Sequence, residues 1–232
     1  MRLGSSTVSQ LKVGSSSVSK LYIGSTEYTT PGAATVVAYT FDFNSNFNAT
    51  IGTINLSNTG VGQPYVIQAD NPVPYSGTGC LKATGSGARL SSSGYSLANM
   101  TTFTVECYVY RPSTWNGYQT ILNLAESGGY RGFHLYYSGV DESLAANNGN
   151  SESIQAGTIP VAQWTKVAFV YNNGTNNKLL INDSVVGTGS QSVLAGPWKI
   201  NVGNIDANWG GTETFYSNMC FDNLTISNAA LY

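Results

Sequence analysis

Residues 103–110 read Phe-Thr-Val-Glu-Cys-Tyr-Val-Tyr, and the alternation in this octet decides the fold. Phe103, Val105, Cys107 and Val109 occupy every second position, with Thr104, Glu106, Tyr108 and Tyr110 between them. Successive side chains of a β-strand point to opposite faces, so the spacing predicts a strand with one face for a core and another offering a carboxylate and two phenols. The same grammar recurs outward in both directions. VVAYTFDF (36–43), CLKATG (80–85), QTILNLAE (119–126), GFHLYYSG (132–139), SIQAGT (153–158), NKLLIND (177–183), KINVGN (199–204) and NLTISNAAL (223–231) are short apolar-alternating runs separated by Gly, Asn, Ser and Pro clusters. That pattern predicts an all-β, antiparallel β-sandwich over residues 37–232. In WTKVAFVYN (164–172) the run Val167 to Val170 is almost continuously apolar, which predicts a central strand covered on both faces, with Trp164 in the core.

Composition agrees with this reading. A chain of 232 residues with 41% hydrophobic content can bury one substantial core, and 26 glycines with 15 tyrosines favour turns and pleated strands. With only 9% charged residues, few Glu/Lys pairs are left to stabilise exposed helices. A formal charge of -2 and a pI near 5.3 offer no basic footprint, so nucleic acid is not an expected partner. No apolar run approaches the roughly 20 residues of a membrane-spanning helix, and MRLGSSTVSQ has no signal-peptide core, so folding in a cytoplasm is expected. Cys80, Cys107 and Cys220 are odd in number and lack CxxC spacing, which predicts buried thiols without a disulfide framework or zinc site.

The first thirty positions repeat with a period of ten. Gly4, Gly14 and Gly24 are each followed by serine, then by Val8, Val18 and Tyr28, and Leu11 and Leu21 keep the same step. Each unit predicts a short strand and a Gly-Ser turn, joined into a small meander. Leu11 with Val13, and Leu21 with Ile23, fall two apart on one strand face, yet so few residues bury too little to be stable alone. Residues 1–30 are therefore read as an attachment or oligomerisation segment, and TTPGAAT marks a linker at 31–36.

Two resemblances follow from these stretches. VSKLYIGSTEYTT, with its near-copy LKVGSSSVSK, resembles repeats near the ends of bacteriophage tail and other virion structural proteins. It implies virion localisation, with assembly in the host cytoplasm, other virion proteins as partners, and a homo-oligomer, a trimer being favoured. YTFDF, FTVECYVYRP, PVAQWTKVAFVYNNGTNNKLLINDSVVG, KINVGN and CFDNLTISNAALY together resemble the laminin-G-like, concanavalin A-like lectin family across Val36 to Tyr232. Where the family has an Asp-Gly turn after the hairpin, this chain reads Asn182-Asp183-Ser184.

That resemblance implies a concanavalin A-like jelly roll, and it directs attention to particular residues. Relatives that hydrolyse glucans carry E-x-D-x-x-E on one strand, which sets an acid and a nucleophile about 5 Å apart. No segment here has that spacing: Glu106 is alone in its strand, so the chain is expected not to be an enzyme. His134 is the single histidine and sits in a strand pattern, which leaves neither a nucleophile elbow nor a multi-histidine zinc site. Many relatives hold a structural calcium near the chain's two ends, and the resemblance points to Asp42 and Asp222 as its ligands. Sugar binding on such folds uses aromatic platforms with polar neighbours. The candidates are Trp115 and Tyr118 in STWNGYQ with Asn116, Trp209 in DANWGGTE with Asp206 and Asn208, and Glu106, Tyr108 and Tyr136 on strands. The expected function is a capsid-decoration, tail or fibre component contacting host-surface glycans. The alternative is a carbohydrate-binding module of a cellular or secreted protein.

Overall fold

The computed structural model describes residues 2–3, 6–7, 12–13, 16–17, 20–23, 26–29, 38–59, 65–83, 88–114, 117–126, 132–148, 153–193, 196–204 and 217–232. The chain divides into two compact units, 1–37 and 38–232. All regular structure among the described residues is β, and no helix there is long and apolar enough to cross a membrane.

In the first unit, β1 (Arg2–Leu3) pairs β2 (Ser6–Thr7), β3 (Lys12–Val13) pairs β4 (Ser16–Ser17), and β5 (Lys20–Ile23) pairs β6 (Thr26–Thr29). Each ladder is antiparallel, and the innermost pairs Leu3↔Ser6, Val13↔Ser16 and Ile23↔Thr26 bracket the Gly-Ser dipeptide of each repeat. One decapeptide therefore makes one two-residue hairpin. Among the described residues the hairpins form three two-stranded ladders, one in each repeat.

The second unit contains β7 (Ala38–Phe41), β8 (Leu56–Asn58), β9 (Tyr65–Gln68), β10 (Cys80–Ala83), β11 (Leu90–Ser92), β12 (Thr102–Tyr110), β13 (Tyr118–Ala125) and β14 (Phe133–Ser138). It continues with β15 (Ser143–Asn147), β16 (Ser153–Ala156), β17 (Trp164–Asn172), β18 (Asn177–Ile181), β19 (Ser184–Gly189), β20 (Lys199–Val202) and β21 (Cys220–Ser227). An eight-stranded sheet runs β19-β18-β17-β12-β21-β10-β9, with β7 also pairing β21, and a seven-stranded sheet runs β16-β15-β14-β13-β20-β11-β8. Every pairing is antiparallel, so two stacked layers form a sandwich.

The core lies between the layers. Phe103, Val105, Cys107 and Val109 of β12 all join it, as the octet predicts, beside Val167, Phe169 and Tyr171 of β17. The other layer contributes Leu122, Leu124, Phe133, Leu135, Ile200 and Val202. Trp164 does not belong to that core. Inner residues of β17 are odd-numbered, so Trp164 lies in the outward phase, half-buried, with its indole N–H donating to the Val73 carbonyl at 2.8 Å. Among the described residues the buried tryptophan is Trp198. In the hairpin β18–β19, Ile181 pairs Ser184, and Asn182 and Asp183 between them have φ of 48° and 64°. A two-residue turn of that kind needs positive φ at both positions, and Asn and Asp tolerate it better than other non-glycine residues. The three cysteines are free and buried, and burial pushes the Cys80 thiol up to about 11 and the Cys220 thiol up to about 12, so both stay protonated.

Candidate functional site

The two outer faces of the sandwich differ in chemistry. On the eight-stranded sheet, the outward positions of β12 carry Glu106 and Tyr108. The Tyr108 ring stacks on Tyr75 with centroids 3.5 Å apart, and Tyr75 meets Trp164 edge-on at 6.4 Å. Burial beneath this stack raises the Tyr108 phenol to about 12. Glu106 accepts the Tyr232 phenol at 2.6 Å and lies 3.4 Å from Lys166 Nζ, which donates to the Tyr232 oxygen at 2.6 Å and to Asp183 at 2.9 Å. Partial burial alone would pull the Lys166 ammonium down, but its hydrogen bonds to Tyr232 and Asp183 outweigh that and hold it above the usual lysine range. Glu106 is thus a knot that ties the last residue to the sheet.

The outer face of the seven-stranded sheet is polar and continuous. Cross-strand partners share a face, and the register runs Ser57↔Ser91, Ser91↔Asn201, Asn201↔Asn123, Asn123↔His134, His134↔Asn147 and Asn147↔Ser153. One row of hydrogen-bonding side chains therefore crosses all seven strands. Its links are short: Ser91 Oγ donates to Asn201 Oδ1 at 2.7 Å, and Asn201 Nδ2 donates to Asn123 Oδ1 at 3.1 Å. The next outward position on β14 is Tyr136, which stacks on His134 at 4.7 Å and meets Tyr118 edge-on at 5.8 Å. Thr120 Oγ1 and His134 Nε2 are 3.0 Å apart, and burial lowers the imidazole to about 3, so this histidine is neutral at physiological pH. Tyr118 and Asn123 are half-buried, and the Asn123 Nδ2 donates to the Phe133 carbonyl at 3.1 Å, whereas Ser91, Asn201, His134, Asn147 and Tyr136 are buried.

The sequence candidates thus fall on different surfaces. Tyr118 and Tyr136 stand together on the seven-stranded sheet, whereas Glu106 and Tyr108 stand on the opposite side of the sandwich. Trp115, Asn116, Asp206, Asn208 and Trp209 lie outside the described residues. Sequence reasoning missed Ser91, Asn123, Asn147 and Asn201. The signal available was a lone Asn in the apolar runs TILNLA and KINV, where a buried amide requires partners.

The first and last strands of the sandwich pair, with Leu224 opposite Phe41, which brings Asp42 and Asp222 near one another. Asp222 is fully buried and lies beside a bulge, where Cys107 of β12 faces both Asn223 and Leu224. Its Oδ2 accepts the Ser76 amide at 3.0 Å and its Oδ1 the Asn223 amide at 2.8 Å. Among the described residues no group of three or more His, Cys, Asp and Glu could hold a metal. A calcium shell asks for about six to eight oxygens; here Asp42 and Asp222 supply the carboxylates, and each oxygen of Asp222 already accepts one amide hydrogen.

Burial raises Asp222 from 3.8 to about 6 despite those amides. The folded state therefore holds a proton that the unfolded chain releases. The stability linked to it is complete below the unfolded value of 3.8 and is lost as pH rises through about 6. In chelator, unfolding free energy is expected to rise by about 2 kcal/mol from pH 7.5 to pH 4.5, and the rise should be absent in Asp222→Asn. Urea titrations across that range check it. A flat profile, or a midpoint raised by calcium at neutral pH, would contradict the amide-bound carboxylate.

The family model described as "Concanavalin A-like lectin/glucanases superfamily" matches residues 83–232, so the matched span begins in β10 and excludes YTFDF. No curated protein sequence matches the chain. Among solved structures, domain 4 of AbnA, a GH43 extracellular arabinanase from Geobacillus stearothermophilus in complex with arabinotriose, is similar at TM-score 0.62 with 17% identity, over 85% of this chain and 94% of that one. Trypanosoma rangeli sialidase in complex with the inhibitor DANA is similar at 0.59 with 12% identity, over 84% of this chain. The botulinum neurotoxin serotype G binding domain is similar at 0.57 with 12% identity, over 84% of this chain and 48% of that one. The chain spans only 31% of the sialidase. At these identities the likeness is one of fold.

Proposed function

The chain belongs to the concanavalin A-like lectin/glucanases superfamily, and from that premise we propose that its sandwich binds glycans without cleaving them, as the displayed part of a bacteriophage virion structural protein. The observation that supports the glycan reading is the half-buried pair Tyr118 and Asn123, held on one face by the buried row Ser91–Asn201–His134–Asn147 and by Tyr136. Amides and hydroxyls held by their neighbours are suited to sugar hydroxyls, and a tyrosine edge or face suits the C–H side of a pyranose. Among the described residues of the row the histidine is buried and neutral and the remaining members are Ser and Asn, which supports binding over hydrolysis.

The virion part of the proposal rests on the three hairpins at a ten-residue step. A two-stranded hairpin is marginal in water, so each needs a covering surface, for which sister chains in a trimer or a neighbouring particle protein are proposed. A second reading, a carbohydrate-binding module of a cellular or secreted protein, is favoured by the likeness to the arabinanase domain, of which this chain covers 94%. It requires a monomer that binds glycan with residues 31–232 alone.

Glycan-array binding and light scattering on the full chain and on residues 31–232 decide between them. The full chain is expected to be a trimer and the truncated one a monomer, both retaining the same glycan profile. Tyr118→Ala is expected to weaken binding about tenfold, the equivalent of one lost ring contact. Equal mass for both proteins overturns the anchor role. Glycan binding that is absent, or indifferent to Tyr118→Ala, overturns the site.

A further inference from the structure

The inner face of β12 ends on a charge. Arg111, the residue after the strand, is 3% exposed, and its guanidinium lies 4.6 Å over the ring of Tyr137, which is fully buried on β14. Its one ion-pair contact among the described residues is Nη2 with Glu142 at 3.6 Å, beyond hydrogen-bonding distance, and the Glu142 side chain is 51% exposed. Arg111 Nε and Nη1 are buried with no hydrogen-bond partner. Gln119 Nε2 and Thr165 Oγ1 are also buried and unpartnered among the described residues, as is the acceptor Asn218 Oδ1, whose residue donates its amide to Gln119 Oε1 at 3.4 Å.

The register brings these groups together. Gln119 stands directly opposite Tyr137 on the seven-stranded sheet, and Thr165 stands opposite Val109, hence diagonal to Arg111 on the eight-stranded one. The register thus places a guanidinium, an amide and a hydroxyl at one end of the sandwich, on inward positions of the two layers, with four of their polar atoms unpartnered among the described residues. Native interiors leave few such groups, and an unanswered buried charge is among the costliest. A loose contact with a half-exposed glutamate does not neutralise it.

We propose that Arg111, Gln119 and Thr165 form a receptor for a carboxylate group, which Tyr137 and Glu142 border. A carboxylate supplies acceptors to several donors at once and balances the guanidinium, which a neutral hydroxyl or carbonyl cannot do. The burial of all three donors restricts the ligand to a small carboxylate or to the acid group at the tip of a sugar. This receptor lies inside the rim of the sandwich, apart from the outer face proposed for glycan hydroxyls, and stands or falls independently of it.

The test is NMR of the ¹⁵N-labelled full chain, following the Arg111 Nε–H signal. Elimination against Arg2→Lys, Arg89→Lys and Arg131→Lys assigns that signal and leaves Arg111 in place. Titration with sodium formate and, separately, sodium glucuronate, against sodium chloride at equal ionic strength, is expected to move it saturably. Response to formate alone identifies a small free carboxylate, and response to both identifies an acidic sugar. Thr165→Val, which keeps the guanidinium and the packing volume, is expected to weaken the response about fivefold, as the loss of one hydrogen bond should. A signal that neither acid moves, or that all three salts move alike, means that water alone answers these donors and overturns the proposal. Formate binding unchanged in Thr165→Val overturns the assigned receptor.

Discussion

Phe103→Ala is expected to destabilise the sandwich by about 4 kcal/mol, the middle of the range for deleting a buried phenylalanine. The ring touches four others: Phe169 at 6.2 Å and Tyr171 at 5.0 Å on its own sheet, and Phe133 at 5.6 Å and Trp198 at 5.9 Å in the facing layer. Its removal therefore opens a cavity between the layers and loses tilted and edge-on ring contacts on both sides. A domain of this size typically has about 5–15 kcal/mol in total, so the variant should be measurably unfolded well below the denaturant midpoint of the parent. Urea titration gives the value, with Val185→Ala as an exposed control expected within about 0.5 kcal/mol of wild type. A Phe103→Ala loss below about 1 kcal/mol would mean that this ring cluster does not join the layers.

Gly203→Ala is expected to cost about 3 kcal/mol for two separable reasons. Gly203 has φ of +79°, where a side chain strains the backbone, and a Cβ there would lie 1.6 Å from the Tyr65 hydroxyl oxygen. Neither partner yields easily. Tyr65 is buried against Phe221 at 6.1 Å, and the Gly203 carbonyl accepts the Ser217 amide at 3.1 Å. Tyr65→Phe removes the oxygen that the new methyl meets, so Gly203→Ala with Tyr65→Phe should recover about 1 kcal/mol relative to the sum of the single changes. Strict additivity in the double-mutant cycle would show that backbone conformation alone makes this glycine necessary.

Much of the sandwich was legible because a half-buried strand repeats every two residues. The inward set of β12 followed directly from FTVECYVY, and Asn182-Asp183 was readable as a turn because both residue types accept positive φ. Trp164 shows the limit of that grammar. In a strand apolar on both faces, alternation does not say which phase faces the other layer, so the largest side chain of WTKVAFVYN was placed inside when it lies outside. Within the candidate site, Tyr118 and Tyr136 were named from residue type, but the row through Asn123 and Asn201 was invisible, since it is made of residues from seven separate strands.

The local periodicity of the chain, its turn residues and its decapeptide copies were sufficient by themselves to specify strands, an all-β class and a separate leading segment, because each depends on neighbours within a few positions. Which side chains meet depended on irregularities that only pairing creates. Tyr118 and Asn123 are five apart and would face opposite ways in a regular strand. The register shift between Thr120 and Leu122 puts them opposite Ser138 and His134, and therefore on one face. Likewise the bulge at Asn223, with φ of 47°, sets Asp222 against the amides of a loop some 146 residues earlier. A bulge changes the phase of a strand by one residue, and that single step reverses which surface every later side chain serves.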